Sequence, residues 1–342
     1  MKLVACILSG GKGERFWPLS RDSNPKQFLR ITGGRMLIEE TYERVKRIPD
    51  LAEVIFASNE KFGDRLRTLF PDATLILEPV PKNTAPACGV VNEYALRKYG
   101  EVIIGIFPAD HYIESVDNFY EDITHGIDWA KKGHIVTLGI KPDRVETGYG
   151  HIEIGERVSH KAFKVLRFHE KPDFETAKQY LDSGRFFWNA GMFLWRTDVF
   201  DYALKKHLPE FYEILKREDI SNLSSLYEKA PNISVDYAIM EKERSIIVVE
   251  ASFKWEDLGS FPSLKKVLQT DSKGNLSIGS VVCEECNNSI FIGNGPVVVV
   301  YGLNDIIVVS TEDVVLVIPV KEAQNIKKLR ETLKKGKMDH LL

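Results

Sequence analysis

Long apolar runs are missing from this 342-residue sequence. No stretch approaches the roughly 20 consecutive apolar residues that a membrane-spanning helix requires. The N-terminus also lacks the charged, apolar and small-residue regions of a signal peptide, because Lys2 leads directly into the short apolar run Leu3–Leu8. We therefore expect a cytoplasmic protein with no membrane partner.

An excess of charge of one sign is also absent, and cysteine is scarce. The chain carries 46 basic and 49 acidic residues, a net charge of −3, so its composition gives no reason to expect a nucleic-acid partner. Of the four cysteines, Cys6 and Cys88 fall in apolar segments, and Cys283 and Cys286 form one C-x2-C pair. A zinc site needs two further ligands, and no second pair exists, so we interpret this pair as part of an ordinary loop.

What the sequence does contain is a regular alternation of apolar and amphipathic segments. Its apolar and charged fractions, 44% and 28%, are those of an ordinary globular protein. Strands are predicted at Leu3–Leu8, Val54–Ser58, Thr74–Leu77, Val102–Phe107 and Ile135–Ile140. Helices are predicted near Met36–Lys46, Phe62–Phe70, Ala85–Tyr99 and Phe119–Lys131. This alternation predicts an α/β fold with a mixed, mainly parallel sheet and helices on both faces.

The pattern changes after Gly148, where polar loops separate the apolar runs. Strands are predicted at Gly148–Ile154, Phe163–His169, Met192–Trp195 and Ile246–Glu250, with helices around Asp198–Lys216 and Ser224–Glu228. We interpret residues 148–245 as a subdomain within a first domain that comprises residues 1–269. The hydrophilic stretch Thr270–Gly274 follows this domain.

Residues 275–342 form the predicted second domain, which is rich in strands. Strands are predicted at Ser280–Cys283, Ile290–Ile292, Val297–Val300, Ile306–Val309 and Val314–Ile318. Apolar residues recur six positions apart, at Phe291, Val297, Leu303, Val309 and Val315. This period is typical of a small β-helix-like coil, although simple strands with a period of two would produce much of the same pattern. Lys321–Lys335 has the pattern of an amphipathic terminal helix. We hypothesise that this helix packs on another subunit, giving a homodimer through the C-terminal segment.

The most informative stretch follows the first predicted strand. It contains three glycines, Gly10, Gly11 and Gly13, then Arg15 and, further on, Lys26. Glycines let the backbone approach a ligand closely and turn successive N–H groups toward an anion, and the cations add positive charge. The spacing is not that of a Walker A loop, and a phenylalanine stands where a Rossmann fingerprint needs its last glycine. The loop therefore predicts a phosphate-bearing ligand of another kind.

Carboxylates near the ends of predicted strands are candidates for a metal site. Asp110 follows the strand Val102–Phe107, and Asp257 lies in the loop Phe253–Gly259. One or two carboxylates, together with phosphate oxygens and water, suit Mg²⁺. Taken alone, however, such an aspartate is more often a turn residue or a helix cap than a ligand. The residues by themselves leave both interpretations open.

The pattern Gly-Gly-x-Gly-x-Arg-x-x-Pro, followed by Pro-Lys, resembles the sugar nucleotidyltransferases, also called sugar-nucleotide pyrophosphorylases. Further motifs of that family follow in the same order over residues 1–263, namely Pro-Ala-Asp-His, Gly-Tyr-Gly, Glu-Lys-Pro, Asn-Ala-Gly and Asp-Leu-Gly. The string from Glu78 to Ala87 resembles more narrowly the mannose-1-phosphate guanylyltransferase branch. The resemblance implies a Rossmann-like core with a small C-terminal segment of the left-handed β-helix type.

The resemblance also implies roles for individual residues. The nucleotide would be bound by Leu8, Gly10, Gly11, Gly13, Glu78, Asn83, Ala85, Pro108 and Asp110. The sugar would be bound by Gly148, Tyr149, Glu170, Asn189 and Asp236. The implied catalytic cations are Arg15, Lys26 and Lys171, and the implied ligands of Mg²⁺ are Asp110 and Asp257. Structural interpretations exist beside these roles, since Asn83 and Asp236 suit helix caps, and Glu170 with Lys171 suits a surface ion pair.

The implied reaction transfers GMP from GTP to α-D-mannose 1-phosphate and gives GDP-mannose and pyrophosphate. A sugar-phosphate oxygen attacks the α-phosphate in line, and no general base is needed, so catalysis depends on positioning and charge neutralisation. In this scheme the glycine loop holds the departing pyrophosphate. Two alternatives stay open: a related pyrophosphorylase for another sugar 1-phosphate or nucleotide, and a non-catalytic nucleotide-sugar sensor.

Overall fold

The computed structural model describes residues 1–342, and contacts within the chain divide it into two compact units. Unit 1 contains residues 1–10, 41–109 and 113–255, and unit 2 contains residues 11–40, 110–112 and 256–342. Each unit is therefore discontinuous in sequence, whereas the domains predicted at 1–269 and 275–342 are consecutive segments. That domain division stays a prediction.

The chain forms fifteen strands and nine α-helices. The strands are β1 (Leu3–Ser9), β2 (Leu51–Asn59), β3 (Thr74–Glu78), β4 (Ile103–Pro108), β5 (Tyr112–Glu114), β6 (Ile135–Ile140), β7 (Gly150–Arg157), β8 (Ala162–Glu170), β9 (Phe186–Arg196), β10 (Ile246–Glu250), β11 (Lys254–Glu256), β12 (Leu276–Glu284), β13 (Ile290–Tyr301), β14 (Ile306–Ser310) and β15 (Val315–Pro319). The helices are α1 (Leu37–Val45), α2 (Gly63–Leu69), α3 (Thr84–Tyr99), α4 (Val116–Lys131), α5 (Phe174–Ser183), α6 (Thr197–His207), α7 (Pro209–Arg217), α8 (Leu223–Lys229) and α9 (Ile326–Lys335). None of these helices has both the length and the apolar character needed to cross a bilayer.

A nine-stranded sheet runs through unit 1 in the order β3-β2-β1-β4-β9-β6-β10-β8-β7. Strands β3, β2, β1 and β4 pair in parallel, as do β6 and β10. The ladders made by β7, β8 and β9 are antiparallel. The predicted α/β fold with a mixed sheet is confirmed. Antiparallel pairing takes a larger share than in the mainly parallel sheet we expected, because β7, β8 and β9 make only antiparallel ladders.

The carboxyl ends of β1 and β4 lie side by side in this sheet. Leu8 is paired with Pro108, and the N–H of Ala109 donates to the carbonyl of Leu8 at 3.0 Å. Ligands of open α/β sheets bind beyond the carboxyl ends of the strands. The glycine loop follows β1 and Asp110 follows β4, so both begin at this edge of the sheet.

The single helix predicted over Asp198–Lys216 is wrong, because the structure divides it into α6 and α7. The break falls at Leu208, whose φ and ψ are −135° and 56°. Pro209 explains the break, since proline cannot donate a helical hydrogen bond and disfavours helical geometry in the residue before it. As the first residue of α7, the same proline is well placed to start a new helix.

Unit 2 contains a four-stranded sheet in the order β12-β13-β14-β15. Strands β12, β13 and β14 pair in parallel, and β15 returns antiparallel. The register places Leu276 beside Ile290 and Ile290 beside Ile307, so each coil is much longer than six residues. The segment is thus β-helix-like, as predicted, but with long coils.

The six-residue period predicted for this coil is wrong. Phe291 and Val309 are fully buried, whereas Val297, Leu303 and Val315 are between 49% and 63% exposed. Ordinary alternation along strands places neighbouring apolar residues on opposite faces, which produces part of the apparent period.

The segment after the glycine loop packs against the C-terminal segment within unit 2. Phe16 and Trp17 share one buried apolar cluster with Phe261, Ile307 and Ile326, and the rings of Phe16 and Phe261 lie 5.1 Å apart. The indole N–H of Trp17 also donates to the carbonyl of Leu341 at 2.6 Å. These contacts fix the glycine-loop segment against residues from the other end of the chain.

The apolar face of the terminal helix belongs to the same cluster. Ala323, Ile326, Leu329 and Leu333 all pack there, and the helix proper is shorter than predicted because Val320–Asn325 forms a 3-10 turn before α9. The hypothesis that this helix packs on another subunit is therefore wrong, since its own chain covers the face.

Gly279 permits a close approach between β12 and β13. Its φ is +76°, and a Cβ at this position would lie 2.3 Å from the carbonyl oxygen of Gly293. Any other residue at this position would therefore have a strained backbone conformation. Its Cβ would also clash with a backbone atom, which cannot move aside as the end of a flexible side chain can.

We expect Gly279→Ala to lower the free energy of unfolding by about 3 kcal/mol, from about 1–2 kcal/mol of left-handed strain and a similar overpacking cost. Gly302→Ala is the matched control, because Gly302 has a φ of +73° and no atom within 4 Å of its Cβ position. Denaturation in urea should give a clearly smaller loss for the control, and equal losses would contradict the clash.

Candidate active site

The glycine loop in unit 2 is folded around Lys26. Gly13 has a φ of 62°, and a Cβ there would lie 2.2 Å from the Cβ of Lys26, so this position requires glycine. The Nζ of Lys26 lies 2.9 Å from Oδ2 of Asp110 and also donates to the carbonyl of Asp257. Lys26 therefore joins three stretches of unit 2 that are far apart in the sequence.

Asp110 is held in its ionised form by this arrangement. Burial opposes its ionisation, but the charges of Lys26 and then His111 outweigh burial and hold the pKa of Asp110 below its usual range. Gly11 leaves room beside the carboxylate, because a Cβ there would lie 3.9 Å from Oδ2 of Asp110. The predicted carboxylate thus lies next to the predicted glycine loop.

A cavity of about 380 Å³ opens in unit 2 beside these groups. Charged side chains line much of it: the cations Lys12, Arg15, Lys26 and Lys327 and the carboxylates Glu14, Asp110 and Asp257. The Nε of Arg15 is buried and has no hydrogen-bond partner in the protein. An orphaned buried donor on a cation fits a ligand anion.

Four residues predicted from separate motifs meet at this cavity: Arg15, Lys26, Asp110 and Asp257. Two carboxylates at one cavity form the oxygen donor set that Mg²⁺ prefers when it shares its coordination with phosphate and water. The residues present therefore fit that ion. Lys327 was not predicted here, because it lies in the terminal helix, outside every motif.

Glu78 and Gly10, two of the predicted nucleotide-binding residues, lie side by side in unit 1. Glu78 ends β3, is 7% exposed, and accepts a hydrogen bond of 2.9 Å from the Tyr227 hydroxyl. A Cβ at Gly10 would lie 3.8 Å from the other carboxylate oxygen of Glu78. Burial raises the pKa of Glu78, although the hydrogen bond from Tyr227 opposes this. Tyr227 was not predicted here, since it belongs to α8 and to no motif.

Asn83 and Ala85 hold the start of α3. The side chain of Asn83 accepts a hydrogen bond from the N–H of Thr84 at 2.9 Å, and its φ is 67°. Ala85 is fully buried, and its N–H donates to the carbonyl of Ile233 at 3.1 Å. The cap that we considered for Asn83 is present, and nucleotide binding by Asn83 and Ala85 stays a prediction.

Three of the predicted sugar-binding residues gather within unit 1 together with the predicted catalytic Lys171. Glu170 forms an ion pair with Lys171, whose side chain is 62% exposed and whose backbone φ is 49°. The amide of Asn189 donates to Asp236 at 2.8 Å. The charge of Glu170 also acts on Asp236, so these residues form one polar group.

Two residues that support this group were not predicted. The hydroxyl of Thr137 on β6 donates to Oδ1 of Asn189 at 3.1 Å and fixes the orientation of the amide. Gly150 gives Glu170 its space, because a Cβ there would lie 2.6 Å from Oε2 of Glu170. Gly150 belongs to the Gly-Tyr-Gly motif, but only Gly148 and Tyr149 of that motif were predicted as site residues, and the N–H of Gly148 donates to Glu146 at 3.0 Å.

Tyr149 is a packing residue in this structure. It is 8% exposed, and its ring makes edge contacts with Trp188 and Trp255 at centroid distances of 5.4 Å and 5.1 Å. Its contact with a sugar, like that of Gly148, stays a prediction.

Asp236 is the most perturbed carboxylate of the sugar-side group. Burial and then the charge of Glu170 raise its pKa to about 6, against a usual value of 3.8. It begins a one-turn π-helix, Asp236–Met240, a local geometry often found at functional sites. At neutral pH, ionisation of Asp236 therefore lowers the free energy of unfolding.

Unit 1 contains one further group of side chains of the metal-ligating types. Glu121, His125 and His160 come within 4.8 Å of one another, a cluster that sequence spacing did not indicate. Lys161 already pairs with Glu121 at 3.0 Å, so we assign the cluster no part in the site. Cys283 lies in β12, where the strand Ser280–Cys283 was predicted, whereas the buried thiol of Cys286 lies beyond that strand and donates to the carbonyl of Glu284 at 3.2 Å.

Comparison with known proteins places this arrangement in a family. The nucleotidyl transferase family model matches residues 4–274. The chain belongs to the nucleotidyl transferase family. A second model, the MannoseP isomerase/GMP-like beta-helix domain, matches residues 279–333. The predicted enzyme class and the predicted C-terminal β-helix of this nucleotidyl transferase are thereby confirmed.

Relatives of this nucleotidyl transferase match it over nearly its whole length. The mannose-1-phosphate guanylyltransferase of Escherichia coli is 35% identical over 351 residues, which cover 98% of this chain and 74% of the relative. The xanthan biosynthesis protein XanB of Xanthomonas campestris is 38% identical over 345 residues, covering 97% and 73%. The crystal structure of a mannose-1-phosphate geranyltransferase from Thermus thermophilus is similar with a TM-score of 0.92 at 30% identity, covering 98% and 100%.

We expect Asp236→Asn to raise the free energy of unfolding at pH 7.5 by about 1–3 kcal/mol, since one pKa unit corresponds to about 1.4 kcal/mol. Because its pKa is raised on folding, the carboxyl group of Asp236 contributes stability below pH 3.8, and this stability is lost as the pH rises through about 6. Asparagine does not ionise, so the variant does not lose stability in this pH range. The advantage of the variant should therefore shrink as the pH falls from 7 toward 4. Asp182→Asn, an exposed change, is the control, and a pH-independent advantage for Asp236→Asn would contradict the assignment.

Proposed function

We propose that this nucleotidyl transferase transfers GMP from GTP to α-D-mannose 1-phosphate, giving GDP-mannose and pyrophosphate. The observation that carries the proposal is the cavity where Arg15, Lys26, Asp110 and Asp257 meet. Cations and metal-binding carboxylates are what phosphoryl chemistry between two anions requires. The guanylyl and mannose 1-phosphate specificities are supported by relatives that carry the name mannose-1-phosphate guanylyltransferase.

Asp110 and Asp257 would hold Mg²⁺, which when bound neutralises phosphate oxygens near the attacked phosphorus. Lys26 then acts as a positioning residue, because its ammonium is already held by Asp110 and by the carbonyl of Asp257. Arg15 keeps a free Nε donor and is the better candidate for direct contact with the leaving pyrophosphate. Backbone N–H groups of the glycine loop support the same anion.

The residues of unit 1 supply the remaining roles. Glu78 offers the carboxylate oxygen not used by Tyr227 to the N1–H and N2 amino group of guanine. Glu170, Asn189 and Asp236 form a polar group suited to sugar hydroxyls. The ammonium of Lys171 is exposed and mobile enough to leave Glu170 and neutralise the sugar phosphate and the attacked phosphate.

A panel of nucleoside triphosphates against sugar 1-phosphates, with pyrophosphate release as the readout, tests the proposal. The highest kcat/KM is expected for GTP with mannose 1-phosphate. A higher value for another pair would replace the substrates but keep the enzyme class. Binding of GDP-mannose without release of pyrophosphate from any pair would instead favour a nucleotide-sugar sensor.

We expect Asp110→Asn to lower kcat about 100-fold or more, the order seen when transition-state electrostatic stabilisation is lost, with less than about a five-fold change in GTP affinity. Steady-state kinetics and calorimetric binding of GTP separate the two effects. Asp64→Asn, at an exposed position of α2, is the control, and thermal unfolding of both variants checks the fold. Near-normal turnover of Asp110→Asn would remove this residue from the metal role.

We also propose that the protein is a homodimer through the C-terminal segment, although not through α9. Val282 and Val299 are register partners on β12 and β13, are 52% and 73% exposed, and are flanked by the exposed Val297 and Tyr301. An exposed apolar patch of this kind suits a second copy of the same surface. Light scattering should give twice the chain mass, and a concentration-independent monomer would contradict the proposal.

The cytoplasmic location stays a prediction.

A further inference from the structure

The terminal helix contributes a charged side chain to the phosphate cavity of unit 2. Lys327 lies in the first turn of α9 and lines the cavity together with Lys12, Arg15, Asp110 and Asp257. It falls within the stretch matched by the β-helix domain model, whereas the other four fall within the nucleotidyl transferase match. The cavity is therefore completed by a segment outside the domain that carries the predicted motifs.

The backbone that carries Lys327 is firmly held. Arg330, three residues further along α9, is 8% exposed and pairs with Asp22 at 3.0 Å and with Glu14 at 3.4 Å. Ile326, directly before Lys327, is 1% exposed within the unit 2 core. The Cα of Lys327 is thus fixed beside the cavity, and only its side chain needs to move.

The ammonium of Lys327 is available to a ligand. Its Nζ lies 3.6 Å from Oε2 of Glu14, and its side chain is 51% exposed, so this ion pair is weak. Glu14 retains Arg330 when Lys327 departs, and no acidic group is left without a cation. Moving the ammonium of Lys327 from Glu14 to a bound anion therefore costs little free energy.

The charge of pyrophosphate requires more cations than the glycine loop supplies. Lys26 is engaged by Asp110 and the Asp257 carbonyl, which leaves Arg15 and Lys12 among the loop cations of the cavity. We propose that Lys327 is a binding residue for the pyrophosphate end of the substrate and for the released pyrophosphate. This inference rests on the proposed function only for the identity of the anion.

The test compares Lys327→Met with Lys328→Met, which removes the same charge from the neighbouring exposed position of α9. Calorimetry with inorganic pyrophosphate and MgCl₂ should give a Kd raised about ten-fold by Lys327→Met, the size expected for one lost charge-assisted contact. The Kd for GDP-mannose should stay within two-fold, because this molecule lacks the leaving pyrophosphate. Lys328→Met should change neither value, and Lys327→Arg should recover most of the loss.

Kinetics give a second readout. In Lys327→Met, KM for GTP in synthesis and KM for pyrophosphate in the reverse reaction should rise together, while KM for mannose 1-phosphate stays unchanged. Equal weakening of pyrophosphate and GDP-mannose, or a pyrophosphate Kd that matches that of Lys328→Met, would overturn the inference.

The two proposals fail in different ways. A wild-type protein that releases no pyrophosphate in the substrate panel, but whose pyrophosphate affinity depends on Lys327, would refute the proposed function and support the assignment of this residue. An active enzyme whose pyrophosphate affinity is indifferent to Lys327 would keep the function and refute the assignment.

Discussion

The buried ammonium of Lys26 is the interaction on which the organisation of unit 2 depends. Its side chain is 6% exposed, and a buried cation is strongly destabilising unless it is paired and hydrogen-bonded. The carboxylate of Asp110 and the carbonyl of Asp257 satisfy it, and Gly13 leaves the space it occupies. Because these groups come from three separate stretches of chain, the glycine loop and the two proposed metal ligands are positioned by one contact. The same contact keeps Asp110 ionised, so position and charge are set together.

Much of the fold could be predicted from the sequence, because the residues that determine where a strand begins and ends lie within it or directly beside it. The apolar runs Ile135–Ile140 and Ile246–Glu250 became β6 and β10 at the predicted residues, since polar neighbours bound each run. Asp110 and Asp257 were found because each lies in a continuous motif. Tyr227 and Lys327 were missed because their contacts exist only after distant segments pack. The break at Leu208 was visible in the sequence as Pro209, but a continuous apolar pattern masked it.

The proposed sugar-side group, Glu170, Asn189 and Asp236, lowers the stability of the fold at neutral pH. A carboxylate with a pKa of about 6, next to Glu170, would be replaced by an amide if stability alone mattered. Asn189 and Thr137 hold it in place, and Lys171 lies nearby with an exposed ammonium. Local conflicts of this kind are expected where a site must recognise a ligand that is itself absent during folding. In the proposed function, the two carboxylates would accept hydrogen bonds from sugar hydroxyls, and this binding would relieve their repulsion.

The hydrogen bond from Trp17 to the carbonyl of Leu341 has a practical consequence for handling the protein. Arg21 donates to the same carbonyl, so the last residues of this sequence are attached to the segment that follows the glycine loop. Any affinity tag or fused partner joined after Leu342 would emerge beside that segment and would compete for these two donors. Met1 is 48% exposed and is the better point of attachment for immobilisation or labelling.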